Sequence, residues 1–164
     1  MKEVLRAVNF NEFAALEKMC ETLWHETYDG LIGRAQVDYM LKKFQSEGAF
    51  FAQMKGENYR YFFIDGGGQA AGYAALRLEK ERLFLSKLYL KKPFRGTGLV
   101  KAALEEIFAA GRKFGYKEAY LTVNKHNARA VAAYEKYGFK REKSVVSDIG
   151  NGFVMDDYIY VYRL

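Results

Sequence analysis

The chain has 164 residues, half of them hydrophobic and 16% aromatic, with 26 basic against 20 acidic side chains for a net charge of +6. That length suits one domain, 1–164, with a real core, and the lone Cys20 excludes an intramolecular disulfide, while His25 and His126 are not at paired ligand spacing, so no metal site is expected. No run nears the roughly eighteen apolar residues of a membrane span and no signal-peptide pattern is seen, so the expectation is a cytoplasmic protein without a membrane partner.

Residues 2 to 7 read as a first strand. Asn11 is placed as the N-cap of a helix whose apolar face carries Phe13, Leu16, Met19, Cys20, Leu23 and Trp24. Gly30 and Gly33 are expected to bracket a loop, with a second helix from about Gln36 and a short third one capped by Ser46. Sheet follows: Tyr59 to Ile64, a turn at Asp65-Gly66-Gly67-Gly68, Ala70 to Arg77, and Leu83 to Leu90, an antiparallel meander. A helix from Gly98 to Phe114 places Leu99, Ala102, Ala103, Ile107 and Ala110 inward, and Gly115 ends it. Strand Ala119 to Val123, helix Asn127 to Tyr137, and strands Phe139 to Val146 and Gly152 to Arg163 complete the order. The strand-helix-strand passage in the middle is a parallel crossover.

The most informative stretch is Leu85 to Leu104, where an apolar strand runs into Arg95-Gly96-Thr97-Gly98 and then an amphipathic helix. Glycines let backbone approach a ligand closely, and the free N–H groups of a first helical turn point at an anion. The spacing is neither that of a P-loop nor that of a dinucleotide fingerprint. Arg95-x-x-Gly98 resembles instead the acyl-CoA loop of the GCN5-related N-acetyltransferase (GNAT) family, with Val100 standing where that family usually has Gly or Ala. A second segment, Tyr120 to Phe139, carries a strand, an Asn-containing loop and a helix ending Tyr-x-x-x-Gly-Phe, in the order that family uses.

The resemblance covers essentially the whole chain. It implies an α/β (α+β) GNAT fold: a mixed central sheet of about seven strands with an antiparallel N-terminal meander, two splayed parallel central strands and about four to five helices. It implies acetyl-CoA as co-substrate, its diphosphate held by Arg95, Gly96, Thr97, Gly98, Leu99, Val100 and Lys101. The pantetheine arm would pair with main chain at Leu88, Tyr89 and Leu90 and reach Asn127, with Tyr134 as the acid that protonates the departing thiolate. The activity implied is direct attack of a primary amine on the thioester.

Relatives often carry a carboxylate on the strand before the cradle, where this chain has Ser86 and Lys87. The base and acceptor slot are therefore sought among Trp24, Glu26, Tyr28, Asp29, Asp156 and Asp157. The tail looks most like bacterial spermidine/spermine N-acetyltransferases, which implies a small-molecule amine, a polyamine by analogy. The alternatives are peptide or protein amino groups and a catalytically silent acyl-CoA sensor. Interleaved charge lacks the clustered basic face of a nucleic-acid binder, so none is expected as partner. Tyr158, Tyr160 and Tyr162 on the last strand suit either the core or a homodimer interface.

Overall fold

A computed structural model describes residues 3–164. After strand β1 (Leu5–Ala7), three helices, α1 (Phe13–Ile32), α2 (Arg34–Phe44) and α3 (Glu47–Gly56), precede β2 (Tyr59–Asp65), β3 (Ala70–Leu78) and β4 (Leu83–Leu90). Helix α4 (Leu99–Lys113), β5 (Glu118–Asn124), α5 (Ala128–Lys136), β6 (Lys140–Gly150) and β7 (Phe153–Arg163) follow. The expected order is thus found, as a seven-stranded sheet in the order β1-β2-β3-β4-β5-β7-β6 in which only β4 and β5 run parallel.

Several boundaries differ for physical reasons. Lys2, assigned to the first strand, lies outside the described residues, and Glu3 and Val4 precede the strand. Asn11 is not the cap: around a single 3-10 turn Glu12 Oε1 accepts from Asn9 N–H at 3.0 Å and Glu12 N–H donates to the Asn9 main-chain carbonyl at 2.9 Å, and α1 grows from Glu12. Gly30 does not open a loop, because α1 continues through it to Ile32 and stops only at Gly33, whose φ of +85° breaks the helical path. Helix α2 therefore starts at Arg34 rather than Gln36. Ser46 does cap α3, its hydroxyl accepting from Ala49 N–H at 3.3 Å.

Helices α1 and α4 bury one stripe each on opposite faces of the sheet. Phe13, Leu16, Cys20, Leu23 and Trp24 of α1 recur every three or four residues and pack with α2, α3 and the tyrosine-rich face of β2 and β3. On the other face α4 contributes Ala103, Leu104, Ile107 and Phe108, a stripe turned away from the expected Leu99, Ala102 and Ala110, which are only half-buried. Tyr160 is fully buried there and Tyr162 stacks on Phe108 at 4.0 Å, so these two tyrosines serve the core.

A relay of buried polar groups stiffens the α1 side. Trp24 Nε1 donates to Tyr73 Oη at 2.8 Å, Tyr73 donates to Gln45 Oε1 at 2.7 Å, and Gln45 Nε2 donates to Tyr61 Oη at 2.9 Å. Each member is satisfied, which is what makes a buried network specifying rather than costly.

Two features of β4 shape the site. Its pairing with β5 consists of Leu83 with Ala119 and Phe84 with Tyr120, and there it ends. Opposite β3, the register slips between Ala75–Lys87 and Leu76–Leu85, leaving Ser86 as the extra residue of a β-bulge. The bulge puts Ser86 and Lys87 on the α1 side in succession, then returns Leu88 and Leu90 to the α4 side. Gly72, opposite Leu90, allows this approach, since a Cβ there would overlap the Tyr89 carbonyl oxygen and lie 2.9 Å from Leu90 Cα. Gly72→Ala is expected to lower stability by about 1–3 kcal/mol as β4 is pushed off β3. Urea unfolding checks this, and an unchanged midpoint would show that the strand yields freely.

Candidate active site

Beyond Phe84 and Tyr120 the separated strands open into a cavity of ≈ 270 Å³. Its walls are Leu85 to Leu90 of β4 and Leu121 to Val123 of β5, its rim the loop Arg95 to Val100, and its far side Asn127, Arg129 and Tyr134. Every second residue along each separated strand turns its main-chain N–H and C=O toward the gap, where no strand answers them.

The rim is built to receive negative charge. Gly96 and Gly98 have φ of +73° and +84°, and a Cβ on either would meet nothing within 4 Å, so glycine is needed for conformation and leaves open approach. Gly98 caps α4 without any side-chain cap, and Ala102 is the first residue to bond back, to the Gly98 carbonyl at 3.0 Å. The N–H groups of Leu99, Val100 and Lys101 are left for an anion. Arg95 Nε donates to Leu90 O at 3.1 Å, and its pKa is lowered by burial and then by Arg129, against the pull of Glu26. Neither arginine is in an ion pair among the described residues. Val100 packs its branched side chain against the apolar cluster of Ile64, Ala71, Leu90 and Ala103.

Three tyrosines form the throat. Tyr28 of α1 and Tyr89 of β4 share a hydrogen bond of 2.7 Å, and Tyr134 of α5 lines the same cavity. Burial raises the pKa of each phenol, to about 12 for Tyr28. Behind them a smaller cavity of ≈ 60 Å³ is bounded by Trp24, Tyr28, Lys87, Tyr89, Thr122 and Asp157, among others. Ser86, Lys87, Tyr28, Tyr89 and Thr122 belong to both cavities, so the two meet at the bulge. Burial pulls the Lys87 ammonium down to about 8, and burial together with neighbouring Asp156 pushes the Asp157 carboxyl up to about 6.

A model described as the Acetyltransferase (GNAT) family matches residues 16–139. The chain belongs to that family. The GNAT fold is seen also in the PaiA N-acetyltransferase of Thermoplasma acidophilum in complex with coenzyme A, with a TM-score of 0.82 over 100% of both chains at 20% identity. An uncharacterized N-acetyltransferase of Mycobacterium tuberculosis is 35% identical over 98 residues, 59% of this chain and 62% of its own. The ribosomal protein bS18-alanine N-acetyltransferase of Escherichia coli is 30% identical over 89 residues, 54% of this chain and 60% of its own. The chain thus spans about three fifths of the length of the curated relatives it matches. These relatives do not single out the spermidine/spermine enzymes to which the tail was likened.

In this GNAT chain the structure gathers most, not all, of the residues sought. Leu88, Tyr89, Leu90, Arg95, Gly96, Thr97, Gly98, Leu99, Val100, Asn127 and Tyr134 all line the large cavity. The Asn127 side-chain Oδ1 also caps α5, accepting from Ala130 N–H at 3.3 Å. Lys101 is exposed on α4 outside the lining. Of the acceptor set, Trp24, Tyr28 and Asp157 line the smaller cavity. Glu26 does not: it is exposed beside Lys91 and Lys92 on the opposite flank of α1. Asp29 is held by His25 Nδ1 at 2.7 Å, while Asp38 takes the other ring nitrogen at 3.0 Å. Asp156 faces away on the alternating strand β7 and pairs with Lys125 at 2.7 Å.

Arg129 and Lys87 enter the cavities without having been sought there. The signal for Arg129 was its place in the first turn of a helix that starts beside the cavity; for Lys87 it was the bulge, which sequence periodicity does not reveal. Arg129→Ala is expected to weaken coenzyme A binding about tenfold, or ~1.4 kcal/mol, and by less at high salt. Titration calorimetry at two ionic strengths checks both; equal affinity would remove Arg129 from the anion site.

Proposed function

We propose that the chain is an N-acetyltransferase that moves the acetyl group of acetyl-CoA to a primary amine. The observation that carries this reading is the joining of an uncapped, glycine-rimmed anion cradle to an acceptor cavity through a strand gap. Family membership supports it. The N–H groups of Leu99, Val100 and Lys101, with Arg95 and Arg129, would hold the diphosphate. Main chain of Leu88, Tyr89 and Leu90 would bond the amides of the pantetheine arm as a strand does.

Acetyl-CoA supplies an activated thioester there: the amine nitrogen bonds to the acetyl carbon as the carbon–sulfur bond breaks. The nitrogen sheds two protons in all, one before attack and one after, and the thiolate regains one, so one proton reaches solvent. Tyr134 would donate to the sulfur; its burial keeps the phenol protonated until charge develops. Asp157, the carboxylate that lines the smaller cavity, would take the ammonium's first proton. Trp24 and Tyr28 wall that cavity, held by the hydrogen bonds to Tyr73 and Tyr89.

The amine is a small molecule or the amino group of a peptide or protein; the ribosomal-protein relative gives the second as much support as the polyamine analogy gives the first. Tyr134→Phe is expected to lower kcat about 10²-fold with coenzyme A affinity unchanged, read by thiol release and calorimetry. Thiol release from no amine, despite cofactor binding, would instead favour a silent acyl-CoA sensor. With Asp157 as proton acceptor, activity should fall as pH drops through about 6, where the carboxylate becomes protonated, and Asp157→Asn should abolish that limb. A pH–rate profile identical in the two proteins would place the acceptor elsewhere.

A further inference from the structure

Lys87 is an unusual wall for a cavity that is to receive an ammonium group. Its Nζ donates to the Ser86 hydroxyl at 2.8 Å and the Ser86 carbonyl at 3.2 Å, and lies 5.9 Å from the Trp24 ring centre. Two of its three N–H donors are thereby committed and one is not. Among the described residues it makes no ion pair. Asp157, 6% exposed, likewise makes no hydrogen bond or ion pair through its carboxylate there, whereas its neighbour Asp156 is occupied by Lys125. Two opposite charges thus line one small cavity without touching each other. Asp157 is buried and Lys87 half-buried, each feels the other without forming an ion pair, and each would gain from a closer partner brought by a ligand.

We propose that the acceptor is a small amine that also carries a carboxylate, with Lys87 meeting the carboxylate and Asp157 the ammonium. This deepens the acetyl-transfer reading and rests on it. A polyamine would supply a partner to Asp157 only, and would bring further positive charge against Lys87. A peptide amino terminus would offer Lys87 no more than a carbonyl. The smaller cavity's volume of ≈ 60 Å³ also favours a compact ligand.

The charge states set a window. Asp157 is ionised above about 6 and Lys87 protonated below about 8, so a ligand needing both binds best between those values. The other titratable groups around them are Tyr28 and Cys20 of α1 and Tyr89 of β4, all with pKa values raised by burial, and the Asp156–Lys125 pair behind β7. None of these phenols or the thiol ionises within the window.

The test is titration of the coenzyme A-loaded protein with glycine, β-alanine and γ-aminobutyrate, each beside its amide, and with spermidine, across that pH range. At least one acid should bind about tenfold tighter than its amide near neutrality, and the preference should vanish above about pH 8. Lys87→Met should bring the ratio close to one. Acids that bind no better than their amides, or spermidine binding tightest, would overturn the proposal without any variant. Thiol release with acetyl-CoA and the same compounds separates the two readings. Acid preference in binding without thiol release would overturn acetyl transfer and leave the slot; equal turnover of acids, amides and spermidine would overturn the slot and leave acetyl transfer.

Discussion

The parallel pairing of β4 with β5 lasts for two residue pairs and then stops. A parallel sheet normally hides its main-chain polar groups on both sides, so an interruption in the middle of a seven-stranded sheet must be held open by something. Here the closed end is clamped by Phe84 stacked on Tyr120 at 4.6 Å, with Arg82 over the same ring, and the bulge at Ser86 bends β4 away from its neighbour. The rest of the site hangs on this wedge. It creates the large cavity, aims α4 across the opening, and leaves unpaired amides that suit a ligand with amides of its own.

The two faces of the sheet divide the work. On the α4 and α5 side lie the cradle and Tyr134; on the α1 side lie Trp24, Tyr28, Lys87 and Asp157. Only at the wedge can groups from both faces meet. The hydrogen-bonded relay of Trp24, Tyr73, Gln45 and Tyr61 fixes the α1 wall, much as the glycine turn fixes the opposite rim. Rigid walls on both sides suit a reaction that asks chiefly for two partners held in line.

The polar character of the smaller cavity is local, not global. A net charge of +6 spread over interleaved residues says little about a cavity whose charged side chains are one lysine and one aspartate. Burial drives both altered acidities; neighbouring Asp156 adds to the shift of Asp157, whereas Cys20 and Asp157 oppose that of Lys87. Sequence counts cannot express either cause, because both depend on what surrounds the group.

The order of elements, the glycine turn before α4 and the helix with Tyr134 were legible in the amino-acid sequence, because each is signalled within a single turn or a single period: two glycines before an amphipathic helix, alternation in β4, a tyrosine one turn before Gly138. What periodicity could not supply was which side of a strand faces which helix after a bulge. Ser86 and Lys87 look alternating in sequence and share a side in space. Glu26, Asp29 and Asp156 looked equivalent to Asp157, and the folded chain separated them: Asp29 pairs with His25 one turn away on α1, Asp156 pairs with Lys125 across the chain, and Glu26 sits on the outer flank of α1. Sequence by itself determined the fold and the family, which rest on short-range patterns; the tertiary structure decided which charged groups share the smaller cavity, because Lys87 and Asp157 meet there from strands far apart in the chain.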